Sequence, residues 1–184
     1  MIAYRTLRLA VAAAALTTAA TATAATAHAQ SPIKFGLAGG VALPMGDFAD
    51  AYDAGYNGTV TLAFNAPLIP VGLRVDGMFN RMSGQEDALL TAPDVDVSSV
   101  NANVTFNLLP LPVAKVYLIG GAGYYSTKLR DTGFDAEGNI GYNAGLGVRV
   151  GMGTQLFVEG RYHRVNLDND AKLDFVPVTI GLMF

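Results

Sequence analysis

The sequence has no cysteine and little charge: only 15% of its 184 residues are Asp, Glu, Lys or Arg. Without cysteine, disulfides cannot stabilise the fold, which excludes a small disulfide-stapled secreted module. Soluble domains usually carry about 25% charged residues, whereas apolar residues here reach 51%. The formal net charge of −3 argues against nucleic acid as a partner, since binding phosphates requires clustered lysine and arginine. An ordinary soluble domain therefore explains this composition poorly.

Long apolar runs are missing after residue 29, where no stretch offers the 18 or so consecutive apolar residues of a transmembrane helix. Before that point, Arg5 and Arg8 form a positive start, followed by a short apolar stretch over residues 9–16. Ala27-His28-Ala29 then supplies an A-x-A cleavage pattern. This order is typical of a secretory signal peptide. It predicts a cleaved segment, residues 1–29, and one domain, residues 30–184.

Apolar and small polar residues alternate with period two in eight segments, which predicts eight β-strands and no helix. The predicted strands are 35–43, 56–65, 71–81, 99–108, 114–126, 139–150, 155–165 and 173–184. The connections between them alternate in length, and proline or paired glycine marks the short ones as tight turns. This rhythm predicts an all-β fold, an eight-stranded antiparallel up-and-down transmembrane β-barrel. Its long loops would lie outside, and its short turns and both termini in the periplasm.

Alternation alone leaves open which face of such a barrel points inward. A soluble lipocalin-like ligand-binding barrel would turn its apolar face inward and its polar face to water. The polar face here consists mainly of Gly, Ala, Asn, Thr and Ser, whereas a solvated exterior is rich in Lys and Glu. Small and amide side chains suit the narrow interior of an eight-stranded barrel. We therefore expect the apolar face to meet lipid.

Aromatic residues on the apolar face fall into two bands, an arrangement that membrane interfaces favour. The band at the short-turn ends comprises Phe35, Phe64, Phe106 and Phe184. The band toward the long loops comprises Tyr56, Phe79, Tyr124, Tyr142 and Tyr162. Two aromatic girdles that bracket an apolar band support the lipid-facing interpretation.

The last predicted strand runs to the end of the chain, with Phe184 as its final residue. An apolar edge strand is an aggregation hazard, which closure against the first strand would remove. This strand resembles the C-terminal strand of bacterial outer-membrane β-barrels, in which a terminal Phe is read by the assembly machinery. The resemblance makes Phe184 the expected assembly signal.

The predicted mature chain as a whole resembles the OmpA/OmpX-type family of small eight-stranded outer-membrane β-barrels. Leu43-Pro44-Met45-Gly46-Asp47-Phe48 is similar to a Pro-x-Gly-Asp-Phe stretch in many of them. The resemblance covers about residues 33–184, and the lack of tryptophan departs mildly from the usual girdles. It implies an integral outer-membrane monomer without cofactor, serving envelope integrity, adhesion or surface interaction through its long loops. The implied partners are outer-membrane lipid and lipopolysaccharide, with the barrel-assembly machinery and periplasmic chaperones during biogenesis.

Seven charged or titratable residues fall on the inward face if lipid lies outside. They are Arg74, Asp76, Lys115, Arg149, Glu159, Arg161 and His163. Unpaired charges in a filled interior cost several kcal/mol, so these groups are expected to pair. Our hypothesis is that Asp76 and Glu159 bridge to Arg74, Arg149 or Arg161 as a plug that blocks conduction. The alternative is an ion path, although eight strands leave no continuous aqueous channel.

Two other kinds of site would fit a small barrel: a lipid-modifying active site and a divalent-cation site. An outer-membrane lipid-modifying enzyme would use a histidine with a serine and an acid, but no serine lies close in sequence to His163. The long loops are acidic, and segments such as Asp131–Asn139 and Asp168–Asp170 could offer oxygens to Ca²⁺ or Mg²⁺. Neither segment matches a full ligand-loop spacing. We therefore expect no catalytic residue and no metal site.

Overall fold

A computed structural model describes residues 32–65, 69–85, 93–111, 113–130, 132, 135–167 and 171–184. The predicted signal peptide, residues 1–29, lies outside the described residues. So do Asp131 and the segment Asp168–Asp170, two parts of the acidic loops. Within the described residues, no helix has the length and hydropathy needed to cross a membrane.

Eight antiparallel strands account for most of the described chain. They are β1 (Ile33–Met45), β2 (Tyr52–Asn65), β3 (Val71–Gly84), β4 (Val95–Pro110), β5 (Ala114–Leu129), β6 (Glu137–Val150), β7 (Gln155–Asn166) and β8 (Lys172–Met183). Each strand pairs with its neighbours in sequence, and β1 pairs with β8, from Gly36 opposite Met183 to Met45 opposite Asp174. The predicted eight-stranded antiparallel up-and-down barrel is confirmed. Closure leaves no strand with an unpaired edge.

The strands reach further toward the long loops than the sequence pattern predicted. Residues 82–98 were predicted as loop, yet Met82 pairs with Val95 and Arg81 with Asp96 in the β3–β4 ladder. The prediction stopped early because outward charged residues interrupt the apolar alternation there. Arg81 and Asp96 form a bidentate ion pair across the two strands, with N–O distances of 2.6 and 2.7 Å. A cross-strand charge pair can thus continue a strand beyond its apolar band.

A short 3₁₀ helix, Gly46–Asp50, follows β1 and was not predicted. Gly46 starts it with a φ of +59°, a left-handed conformation that favours glycine. The helix places the Phe48 ring 4.5 Å from that of Tyr52. Both rings pack against the apolar cluster that closes the loop end of the barrel. The Pro-x-Gly-Asp-Phe stretch therefore folds the first loop back over the barrel.

Along each strand the residues alternate between an inward face that is buried or partly buried and an outward face that is mostly more exposed. The outward face carries apolar side chains that are about half exposed, such as Leu73 at 58% and Leu146 at 59%. The inward face carries small, amide and charged residues in the barrel interior, here called the lumen. The apolar face thus points outward, as the composition of the polar face indicates.

Candidate functional site

The centre of the lumen holds four charged side chains, here called the ion quartet: Arg74, Asp76, Glu159 and Arg161. Arg74 contacts Asp76 through Nε at 2.7 Å and Glu159 through Nη1 at 2.7 Å. Arg161 contacts Asp76 through Nη1 at 2.9 Å and Glu159 through Nε at 2.8 Å. All four side chains are at most 2% exposed. The quartet is a closed ring of two cations and two anions.

Strand direction explains why these four residues meet. In an eight-stranded ring β3 and β7 lie on opposite walls, and both run from the short turns toward the long loops. On β3 the lower residue is Arg74 and the next inward residue is Asp76. On β7 the lower residue is Glu159 and the next inward residue is Arg161. The two strands therefore present opposite charges at each level across the lumen.

Neighbouring polar side chains complete the coordination of both carboxylates. Asp76 accepts from the Thr61 hydroxyl at 2.6 Å and from the Asn103 amide at 2.8 Å. Glu159 accepts from the Tyr117 hydroxyl at 2.7 Å. Each carboxylate oxygen consequently has two donors, counting the arginines. Such full satisfaction makes a buried ionic network stable where a partly satisfied one would be costly.

His163 lies in the next layer toward the loops and has no solvent exposure. Its Nδ1 is 2.7 Å from the Tyr125 hydroxyl oxygen. Its ring stacks on Phe175, with centroids 5.0 Å apart. Above it, apolar side chains close the lumen: Ala42, Met82, Val95, Val97, Tyr125, Val165, Leu173 and Phe175. We call these eight residues the apolar cap, and it seals His163 from the loop side.

Lys115 and Arg149 lie apart from the quartet, toward the short turns. They face each other directly across β5 and β6. The Arg149 guanidinium carbon lies 5.0 Å from the centre of the Tyr117 ring. Among the described residues Arg149 forms no ion pair, so the structure assigns the carboxylate contacts to Arg74 and Arg161 alone.

The aromatic residues assigned to two girdles all project outward, and the turn-side ones are 44–48% exposed. On the loop side Phe79 and Tyr162 are less exposed because arginines cover them. The guanidinium of Arg81 lies 5.5 Å from the Phe79 ring centre, and that of Arg164 lies 5.5 Å from the Tyr162 ring centre. Phe184 is also outward, and its backbone pairs with Phe35 in both directions.

Several lumen residues escaped the sequence analysis. Lys34 was missed because the first strand was started at Phe35, although its spacing places it on the inward face of β1. Inward aromatic residues were not singled out because they stand on the face read as polar: Tyr117, Tyr125, Phe157 and Phe175. Their alternation with Gly and Asn in the sequence could have identified them as lumen residues. Bulky rings fit there because glycines face them; an added Cβ at Gly147 would lie 2.4 Å from the Tyr117 ring.

The acidic residues of the loops form no metal centre in the described part of the chain, which holds no group of three or more His, Asp or Glu at metal-binding distances. Three acids predicted in loops, Asp53, Asp96 and Glu137, lie at strand ends instead, whereas Asp174 was predicted within the last strand. Asp96 pairs with Arg81, and Asp174 pairs with Arg164 through two contacts of 2.7 and 2.8 Å. These acids have arginine partners on the outer wall.

The closed lumen should prevent ions from passing through the barrel. Because the ion quartet and the apolar cap both fill the cross-section, the reconstituted protein should give no steady conductance in planar bilayers. A variant that truncates the whole quartet (Arg74→Ser, Asp76→Ala, Glu159→Ala, Arg161→Ser) should also stay closed, since the cap remains. Stable large conductance of the unaltered chain would contradict this description of the lumen.

A sequence profile of the family described as "Outer membrane protein beta-barrel domain" matches residues 10–184. No curated protein sequence matches the chain. The profile therefore spans nearly the whole sequence, including all eight strands.

Several solved structures are similar in fold. The crystal structure of Neisserial surface protein A (NspA) superposes with a TM-score of 0.65 at 14% identity, covering 83% of this chain and 96% of that one. The outer membrane protein Ail of Yersinia pestis, in a phospholipid bilayer nanodisc, gives 0.52 at 17% identity, with 82% and 99% coverage. OprG of Pseudomonas aeruginosa gives 0.50 at 12% identity, with 84% and 97% coverage. At these identities the likeness concerns the fold.

Proposed function

Since the chain belongs to the outer membrane protein β-barrel domain family, and is therefore an integral outer-membrane protein, we propose a non-enzymatic role at the cell surface. The protein serves envelope integrity or surface interaction such as adhesion, through its long loops. Both termini and the short turns lie in the periplasm, and the long loops lie outside the cell. The observation that carries the proposal is the lumen, filled by the ion quartet and sealed by the apolar cap. A closed barrel leaves its loops as the part that can meet a partner.

The loop end of the barrel is built as a rigid platform. The Phe48 and Tyr52 rings pack on the apolar cap, and the outer wall carries the Arg81–Asp96 and Arg164–Asp174 pairs. Residues placed on loops above a rigid scaffold are a common arrangement for recognition. This construction supports a binding role for the loops.

Lipid chemistry at His163 is disfavoured by the same geometry. The ring is fully buried between Tyr125 and Phe175, and its only polar contact in the described residues is the Tyr125 hydroxyl. A general base needs a nucleophile within hydrogen-bond reach and a path for the substrate. Neither a serine contact nor an opening toward lipid is present in this layer of the described structure. We therefore assign His163 a structural part in the lumen.

The proposed location in the outer membrane determines which lipids contact each part of the barrel. The outward apolar face between the two girdles meets acyl chains, and the loop-side girdle meets lipopolysaccharide. Phe184 serves as the signal for the barrel-assembly machinery, with periplasmic chaperones as earlier partners. The protein works as a monomer, because a closed barrel satisfies its strand hydrogen bonds within one chain.

Complementation of cells that lack the protein tests the proposed role. The full chain should restore resistance to detergent and, in adherence assays, attachment to surfaces. A variant with a short glycine-serine linker in place of residues 85–93 keeps the barrel; it should restore the barrier but lose attachment if the loops recognise a partner. If neither barrier nor attachment depends on the protein, the proposal is wrong. An altered lipid A acyl pattern that is abolished by His163→Ala would point to the enzyme instead.

Labelling of two single-cysteine variants tests the proposed orientation of the barrel in the membrane. The chain has no native cysteine, so Ser83→Cys at the loop end and Thr154→Cys in the β6–β7 turn can each be labelled alone. Both positions are exposed. A membrane-impermeant maleimide should label Ser83→Cys on whole cells and Thr154→Cys only after the outer membrane is opened. The reverse pattern would invert the proposed topology.

A further inference from the structure

Three cations face the lumen between the ion quartet and the short turns: Lys34 on β1, Lys115 on β5 and Arg149 on β6. Lys115 and Arg149 are directly opposite each other in the β5–β6 register. Like charges in that position destabilise a strand pair. Both also act electrostatically on Lys34, which lies across the lumen. The turn end of the lumen therefore concentrates positive charge.

No acid side chain in the described part of the chain contacts these cations. None of the three forms an ion pair within the described chain, and the turn segments 66–70, 111–113 and 151–154 contain no Asp or Glu. The α-carboxylate of Phe184 belongs to an outward residue, and a Phe184 oxygen accepts the backbone N–H of Phe35. The two lumen carboxylates, Asp76 and Glu159, are already occupied in the quartet. The three cations thus have no carboxylate partner in direct contact among the described residues.

Arg149 makes the strongest case for a missing partner. It is only 6% exposed, and its Nε has no hydrogen-bond partner. Its guanidinium rests on the Tyr117 ring, whose hydroxyl donates to Glu159. A buried guanidinium without a carboxylate is costly.

We propose that this turn-end vestibule, formed by Lys34, Lys115, Arg149 and the adjoining Gly151–Gly153 turn, binds a phosphate group. Lys34 Nζ donates to the Gly153 carbonyl of this turn at 3.2 Å in an exposed position, which places the Lys34 ammonium at the turn end of the lumen. Arginine forks and lysine ammonium groups are the side chains that bind phosphate oxygens. Phosphate carries more charge than chloride and offers several acceptor oxygens, so one ion can accept from cations on two opposite walls at once. The phosphate is either free in the periplasm or part of a phospholipid headgroup.

Calorimetric titration of the refolded protein with inorganic phosphate, in a phosphate-free glycoside detergent, tests the proposal. We expect saturable binding, beyond any effect of sodium chloride at equal ionic strength. Lys34→Gln and Lys115→Gln should each raise the dissociation constant by about tenfold, which corresponds to one lost charge-assisted contact of about 1.4 kcal/mol. Lys34 is half-buried, so its substitution is compatible with folding. The matched control is Lys128→Gln, an exposed cation at the loop end, which should bind like the unaltered chain.

A second arm separates the two phosphate sources. The same proteins are compared in nanodiscs of phosphatidylglycerol and of a phosphate-free glycolipid, with unfolding temperature as the readout. Stabilisation by phosphatidylglycerol that disappears in Lys34→Gln but persists in Lys128→Gln identifies a headgroup. Binding of inorganic phosphate alone identifies the free anion. If phosphate binds in neither arm, or binds equally to the vestibule variants and the control, the proposal is overturned.

Discussion

Glu159→Gln is expected to lower the free energy of unfolding by about 3–5 kcal/mol, the range for breaking a buried ion pair from one side. The substitution keeps the shape of the side chain but removes one of the two anions in the ion quartet. Arg74 and Arg161 would then share Asp76 alone while remaining almost fully buried. The cost therefore comes mainly from a buried positive charge without its partner. Equilibrium unfolding by guanidinium in lipid vesicles measures it.

The Arg81–Asp96 pair supplies the matched control. Its N–O distances of 2.6 and 2.7 Å are at least as short as those in the ion quartet. Its side chains, however, are 27% and 19% exposed on the outer wall. Asp96→Asn should cost about 0–1 kcal/mol, as solvent-accessible ion pairs do. If Glu159→Gln costs no more than Asp96→Asn, burial of the quartet does not increase the free-energy cost of losing one of its charges.

A double variant distinguishes charge from packing. Arg74→Gln combined with Glu159→Gln removes one cation and one anion, which leaves Asp76 and Arg161 as a neutral pair. The double variant should therefore be less destabilised than the sum of the two single variants, with a coupling energy in the range of about 0.5–3 kcal/mol. Additive losses would show that the four side chains contribute by shape alone.

The sequence predicts which residues face the lumen, but it does not predict how deep in the barrel each of them lies. The alternation of side chains along each strand places four residues on the inward face, because successive residues point to opposite sides: Arg74, Asp76, Glu159 and Arg161. It places Arg149 there equally well. This alternation does not give the depth of each residue along the barrel axis, because that depth depends on the register between neighbouring strands. Arg149 pairs with Phe157, one inward position closer to the short turns than Glu159, and only the β6–β7 register sets that depth.

The strand ends were harder to predict for a related reason. The apolar alternation that identifies a strand marks only the outward residues between the girdles. Beyond them, Arg81 and Asp96 stand at outward positions of strands that continue, and Val95 and Val97 turn inward into the apolar cap. A pattern that switches from apolar-outward to apolar-inward resembles a loop in sequence. The ladder hydrogen bonds that hold it become visible only in the paired structure.

Leu146→Arg is expected to destabilise the membrane-inserted protein by about 2–4 kcal/mol, because it places a cation at the bilayer midplane. Leu146 is 59% exposed on the outward face of β6, roughly midway between Tyr142 in the loop-side girdle and the turn end of the strand. Its exposure in the free molecule is exposure to acyl chains in the membrane. Unfolding in lipid vesicles again provides the measurement.

Ile140→Arg on the same strand and the same face is the matched control. Ile140 is 64% exposed and lies on the loop side of Tyr142, where the chain enters the interface. The cost of arginine falls to about 0–1 kcal/mol near the interface. A depth-dependent difference between the two variants requires lipid against the apolar face. Equal, small losses within about 0.5 kcal/mol are typical of substitutions on a water-exposed surface, and they would mean that water, not lipid, surrounds this barrel.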